Sequence, residues 1–129
     1  MLSILLVDDE PSIRLAIGDA LTRAGHRVVR ANDGVEATEK CTKQVFDLVI
    51  TDVSMPEMDG MTLLREVRTL SPTTDVVVMT AFSSVPNVVQ AFKLGADEYL
   101  TKPFTEEELL TRIGTIEERR RRRSPRVIA

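Results

Sequence analysis

Short apolar runs alternate along the chain with stretches in which apolar residues recur every three or four positions. Runs of the first kind predict strands, and those of the second kind amphipathic helices. Ile4-Leu-Leu-Val7 is the first strand, ending at Asp8-Asp9. Pro11 follows where a helix can begin, because the N–H it lacks has no partner in a first turn anyway. Ile13, Ile17, Ala20, Leu21 and Ala24 then recur at helical spacing, and Gly25 stops the run. His26 to Ala31 predicts a short second strand. Asn32-Asp33-Gly34 is a turn and cap before a helix over about Val35–Gln44, with Val35, Thr38, Cys41 and Val45 on one face. Asp47 to Asp52 is the third strand, its Leu48, Val49 and Ile50 suiting a central position covered on both faces. A third helix over about Met61–Leu70 turns Leu63, Leu64, Val67 and Leu70 inward. Asp75 to Thr80 is a fourth strand, equally apolar and central. Val85 to Leu94 is a fourth helix, with Val85, Val88, Val89 and Phe92 at helical spacing and Gly95 as its stop. Glu98 to Thr101 is a brief fifth strand. Thr105, with Glu108 as capping-box partner, opens a fifth helix whose apolar face is Leu109, Leu110, Ile113 and Ile116. Five strands alternating with five helices predict an α/β fold with a parallel sheet and helices on both faces.

The chain has 129 residues, 43% of them apolar and 29% charged, which suits one soluble domain with a full core. A single cysteine, Cys41, excludes an internal disulfide and fits a reducing cytosol, so a cytoplasmic protein is expected. No apolar run reaches membrane-spanning length. Met1 to Val7 lacks the basic lead of a signal peptide. His26, the one histidine, reads as a surface strand residue rather than a ligand or base. Charge divides the chain unevenly. Residues 1–118 carry 11 basic and 20 acidic residues, whereas residues 119–129 carry six arginines and no acid. An acidic body argues against nucleic-acid binding by residues 1–118.

Asp8-Asp9, Asp52, Thr80 and Lys102 stand at the C-terminal ends of the first, third, fourth and fifth strands. Ligands of open α/β sheets bind just beyond those ends. One such residue is explained as the cap of its own strand or helix; five at the ends of four strands point to a shared crevice. Carboxylates about 4 Å apart repel by roughly 4 kcal/mol per pair at an effective dielectric near 20. Three of them gathered together call for a cation, and oxygen ligands with retained waters suit Mg²⁺. Three carboxylates, Mg²⁺ and the Lys102 ammonium sum to about zero.

Leu6-Val-Asp-Asp-Glu10, Asp52-Val-Ser-Met-Pro-Glu-Met-Asp-Gly60, Met79-Thr-Ala81 and Tyr99-Leu-Thr-Lys-Pro-Phe104 together resemble the receiver domain of bacterial two-component response regulators. The resemblance covers about residues 1–118, and Met79 to Phe104 looks most like receivers of the NtrC type. It implies a flavodoxin-like (βα)5 fold with strand order 2-1-3-4-5. By the same resemblance Asp52 is the phospho-acceptor, with Asp9 a direct Mg²⁺ ligand, Asp8 a ligand through water, and Ser54 lending its backbone carbonyl. Mn²⁺ substitutes for Mg²⁺ in this expectation. Lys102 neutralises phosphoryl oxygens, Thr80 bonds one of them, and Tyr99 is the aromatic that swings inward with Thr80. The Lys102–Pro103 peptide is expected cis. Ser54 and Phe82 flank the path by which water reaches an acyl phosphate.

Such a domain is a phospho-accepting switch that assists its own phosphorylation and dephosphorylation, not an enzyme in the ordinary sense. The implied partner is a sensor histidine kinase or phosphotransfer protein. A homodimer through the face of the fourth helix, fifth strand and fifth helix is open to it, as is a C-terminal effector domain outside this chain. A pseudo-receiver, interacting without phosphorylation, is the alternative; it is expected to lack part of the acid–Thr–Lys set, and none is missing. A haloacid-dehalogenase-like phosphatase needs a second Asp two residues after the first, where Ser54 stands. A nucleotide binder needs a phosphate loop where Asp8-Asp9-Glu10 would repel one. Residues 119–129 read as a solvated helix end running into a basic tail or linker, since consecutive arginines about 100° apart cannot share a helix face.

Overall fold

The computed structural model describes residues 1–53, 60–81 and 85–123; the side chains of residues 60 and 85–88 are outside that description. The elements run β1 (Ser3–Val7), α1 (Pro11–Arg23), β2 (Arg27–Ala31), α2 (Gly34–Lys43), β3 (Leu48–Asp52), α3 (Gly60–Leu70), β4 (Asp75–Thr80), α4 (Val85–Lys93), β5 (Glu98–Thr101) and α5 (Glu106–Arg123). All strand pairings are parallel, in the order β2-β1-β3-β4-β5. This is the doubly wound, flavodoxin-like order expected.

The near-continuous apolar runs follow from burial on both sides. Ile4, Leu6, Leu48, Ile50, Val77 and Met79 pack under α1 and α5, against Ile17, Leu21, Leu109, Ile113 and Ile116. Their neighbours Leu5, Val7, Val49, Val76, Val78 and Tyr99 face the other way, against Ala37 of α2, Leu63, Leu64 and Val67 of α3, and Ala91 of α4. The two layers fix strand register, because a one-residue slip would exchange them.

Glycines set two of the helix exits. Gly25 and Gly95 have φ of 97° and 104°, which side chains with a Cβ rarely adopt. At the first, Gly25 N donates to Thr22 O and His26 N to Leu21 O, closing α1 with a Schellman motif. Gly95 and Ala96 close α4 in the same way on Phe92 O and Ala91 O. At the other end of a helix, Thr105 Oγ1 accepts from Glu108 N at 3.0 Å, the capping box expected for α5.

Three helix faces differ from expectation. On α2 the buried positions are Gly34 and Ala37, with Cys41 half-buried. Val35 is exposed, and Val45, beyond the helix end, is 74% exposed. Small side chains let α2 lie close to the sheet, so its inward stripe is less apolar than its neighbours. Leu70 ends α3 on its exposed side. On α4, Val89 and Phe92 are exposed while Ala91 is buried. Strand β2 also begins at Arg27, and His26 sits in the loop before it, where its Nδ1 accepts from Leu2 N at 3.1 Å.

The last difference concerns the arginines. Helix α5 continues to Arg123, and its inward stripe of Leu109, Ile113 and Ile116 is prolonged by Arg120 and Arg123 at the same spacing. Arg120 reaches Asp75 Oδ2 at 2.9 Å, Asp47 Oδ1 at 3.1 Å and the Thr73 carbonyl at 2.9 Å. Arg123 also reaches Asp75 Oδ2, at 2.7 Å. Arg119, Arg121 and Arg122 are exposed and do not reach the strands, and Arg123 is exposed too, pairing with Asp75 from the surface. Two of the run therefore reach the N-terminal ends of β3 and β4, Arg120 part-buried and Arg123 at the surface, and three do not.

Candidate functional site

Two central strands, β1 and β3, lie side by side and end together: Val7 pairs with Thr51. The next residue of each chain segment is an aspartate. Asp8 is fully buried beyond β1, and Asp52 closes β3 nearly buried. Asp9 is exposed beside them. Ligand oxygens of Asp8, Asp9 and Asp52 all lie within 4.8 Å of one another. On the other side of Asp52, β4 ends one residue further on at Thr80, because Asp52 pairs with Met79.

Lys102 closes the group. It follows β5, its backbone N donating to Thr80 O at 2.8 Å, and the Lys102–Pro103 peptide is cis. Its Nζ lies 2.9 Å from Asp52 Oδ2 and 3.0 Å from Asp8 Oδ2. Asp8 Oδ1 accepts from Glu10 N at 2.9 Å, so both oxygens of the buried carboxylate have partners. Burial pushes the Asp8 carboxyl above its ordinary range, opposed by Glu10 N and Lys102. Burial works against the Lys102 ammonium too, yet the two carboxylates outweigh it and lift Lys102 above its usual range. The site therefore holds its positive charge firmly and its deepest negative charge reluctantly.

Thr80 and Tyr99 sit on adjacent strands, β4 and β5, both buried. Burial raises the Tyr99 phenol against the opposing effect of a side-chain hydrogen bond with Thr80. Beside Lys102, Ile13, Ala16, Ile17, Ala81, Pro103 and Phe104 line an open apolar groove of about 370 Å³. Asp8, Asp9, Asp52 and Lys102 are thus brought together, and Thr80 and Tyr99 form a second, contiguous pair. Ser54 and Phe82 lie outside the described residues.

Chemically, the arrangement gathers hard oxygen donors, a nearly buried carboxylate with an ammonium against it, and a hydroxyl at the end of the next strand. Comparison with known proteins agrees with it. Residues 4–114 match the response regulator receiver domain model. ZraR of Klebsiella oxytoca, a transcriptional regulatory protein, is 48% identical over 107 residues, which are 82% of this chain and 24% of that protein. The response regulator MprA of Mycobacterium leprae is 41% identical over 113 residues, 88% of this chain and 50% of its own. The chain thus spans about a quarter of the ZraR proteins it matches. Among solved structures, the Vibrio cholerae chemotaxis protein CheY4 superposes with a TM-score of 0.86 at 36% identity, covering 90% of this chain and 98% of CheY4. Sequence, strand order and the acidic strand ends converge on one family, and this chain belongs to it: the receiver domains of response regulators.

Proposed function

We propose that Asp52 accepts a phosphoryl group from a phosphohistidine of a sensor histidine kinase or phosphotransfer protein, and that the domain switches conformation as a result. The observation that carries this reading is the position of Asp52 at the end of the central strand, with Lys102 Nζ 2.9 Å away and Asp8 and Asp9 beside it. An Asp52 oxygen bonds to phosphorus as the phosphorus–nitrogen bond breaks and its electron pair returns to the imidazole. Transfers of this kind depend on positioning and charge neutralisation more than on covalent chemistry. Lys102 moves with the negative charge onto the phosphoryl oxygens. Thr80 donates its hydroxyl to one of them and loosens its bond with Tyr99, so the change reaches β5.

Three carboxylates with ligand atoms this close, all hard oxygens, fit Mg²⁺ or Mn²⁺. Asp9, Asp52 and the Ser54 backbone carbonyl would hold the ion directly, and Asp8 through water. Once bound, it supplies positive charge against the acidic cluster and the arriving phosphoryl group. Relatives named as transcriptional regulators support an output in transcription, through an effector region beyond this chain. Exposed Val89 and Phe92 on α4 suit a homodimer through the α4-β5-α5 face. Among the described residues no helix is long and apolar enough to cross a membrane.

The test is intact mass after incubation with acetyl phosphate, with and without Mg²⁺. One added phosphoryl group that requires Mg²⁺ is expected in the parent and none in Asp52→Asn, while Asp9→Ala loses both Mg²⁺ binding and labelling. Equal labelling of Asp52→Asn would remove Asp52 from the role.

A further inference from the structure

We infer that Arg14 is a positioning residue for the metal-binding turn, an assignment that rests on the phospho-acceptor reading above. Arg14 Nη1 donates to the main-chain carbonyl of Asp8 at 2.7 Å, in a part-buried contact. That carbonyl belongs to the peptide joining Asp8 to Asp9. Asp8 is already fixed through its side chain, by Glu10 N on one oxygen and Lys102 on the other. Asp9 is exposed. The plane of the Asp8–Asp9 peptide decides where the Asp9 carboxylate points, and Arg14 holds that plane from α1.

The placement of Arg14 in α1 supports the same conclusion. Arg14 N donates to Glu10 O, so the residue lies in the first turn of the helix. A cation there opposes the helix dipole, which favours acids, yet α1 has no acid in its first turn. A residue that breaks a local rule is expected to answer to something outside its element. Here that is the acidic turn, which gains both a hydrogen bond and a nearby positive charge.

The two contributions act on metal affinity with opposite signs. Removing a cation near three carboxylates strengthens binding of a divalent ion, whereas releasing the peptide weakens it. Partners of metal ligands typically contribute a factor of about 10–100 to affinity. Positioning therefore wins, and loss of Arg14 weakens binding despite the lost positive charge.

The experiment compares the parent with Arg14→Gln and Arg14→Lys. Mg²⁺ titration is followed by amide NMR shifts without any phosphoryl donor, and Asp52 labelling by acetyl phosphate is measured across Mg²⁺ concentrations. In Arg14→Gln the Mg²⁺ for half-saturation should rise roughly tenfold or more in both measurements, while the labelling rate at saturating Mg²⁺ returns towards the parent's. Arg14→Lys keeps the cation but exchanges the planar fork for a rotating ammonium, and should fall between the two. A role in α1 stability alone would lower the melting temperature and leave half-saturation unchanged, and that outcome overturns the inference. Tighter Mg²⁺ binding in Arg14→Gln overturns it as well. If Arg14→Gln does not fold, parent-like half-saturation in Arg14→Lys does the same. A parent that neither binds Mg²⁺ nor is labelled sinks the phospho-acceptor reading and this inference together. A normal parent with parent-like variants sinks the inference alone.

Discussion

The hydroxyl of Thr80 serves the phenol of Tyr99 as a hydrogen-bond partner, and on the proposed reading a phosphoryl group on Asp52 would compete for that hydroxyl. Thr80→Ala is therefore expected to accept phosphate at Asp52 but to leave the amide NMR shifts around Tyr99 and β5 close to their unphosphorylated values. Full phosphorylation-dependent shifts in that variant would show that the coupling runs elsewhere. Individual residues are unequally legible in the sequence. Asp8, Asp9, Asp52, Thr80 and Lys102 announce themselves because charged or hydroxyl side chains abruptly end apolar runs. Arg14 does not, since its acceptor is a backbone carbonyl and carries no side-chain identity. The local pattern puts His26 on a strand surface, yet its Nδ1 accepts from Leu2 N, which requires the neutral ring. Burial, opposed by Glu117 and aided by the N-terminal ammonium, lowers the His26 pKa from its ordinary 6.5. A lowered folded value means that the unfolded chain binds the proton more readily, so the His26 contribution is present above about pH 6.5 and lost as pH falls through the folded value. Urea midpoints should drop between about pH 7.5 and about pH 5.5, and the drop should be smaller in His26→Gln. An unchanged slope in that variant would clear His26 of the effect.

Among elements, α2 shows why apolarity alone misassigns a helix face. Val35 and Val45 are more apolar than Ala37, but close approach to the sheet selects the smaller side chain. Ala37→Leu should cost about 1–3 kcal/mol through overpacking. Val35→Thr should change stability by less than about 0.5 kcal/mol, as surface substitutions do. Thermal melts of the two variants decide, and a larger loss in Val35→Thr would reverse the assignment. Strands β1, β3 and β4 are legible nearly to the residue, because burial on both faces leaves an uninterrupted apolar signal. The end of α5 is not. Arg120 finds its partners 45 and 73 residues away in the chain, beyond the reach of any local pattern. Arg120→Ala should lower stability by about 1–2 kcal/mol and deprotect the amides of residues 117–123 in hydrogen exchange, with Asp52 labelling intact. Unaltered protection would return the segment to a solvated end.

For the molecule as a whole, the sheet has two working poles. Acidic strand ends, Lys102 and the apolar groove occupy one, and the arginine clamp on Asp47 and Asp75 occupies the other. Strands β3 and β4 run between them, so the last turns of α5 are fastened to the two strands that end in Asp52 and Thr80. The fold class and site are readable because each strand carries both its apolar signal and its terminal residue within a few positions. The anchoring of the end of α5 is not, since it depends on which arginines face the strands. Only two of five consecutive arginines reach the strands, and that has a consequence for how the chain tolerates length change. Each residue added to a helix turns the residues after it by about 100° and advances them by about 1.5 Å. One residue inserted after Ile116 brings Arg119 to where Arg120 now lies and Arg122 to where Arg123 lies; one residue deleted brings Arg121 to the first of these places. With a lone arginine, either slip would empty the contact. A run of five keeps a guanidinium at the place of Arg120 after a one-residue slip in either direction, so that contact survives where a unique side chain would be lost, while the place of Arg123 is kept on insertion and passes to Ser124 on deletion.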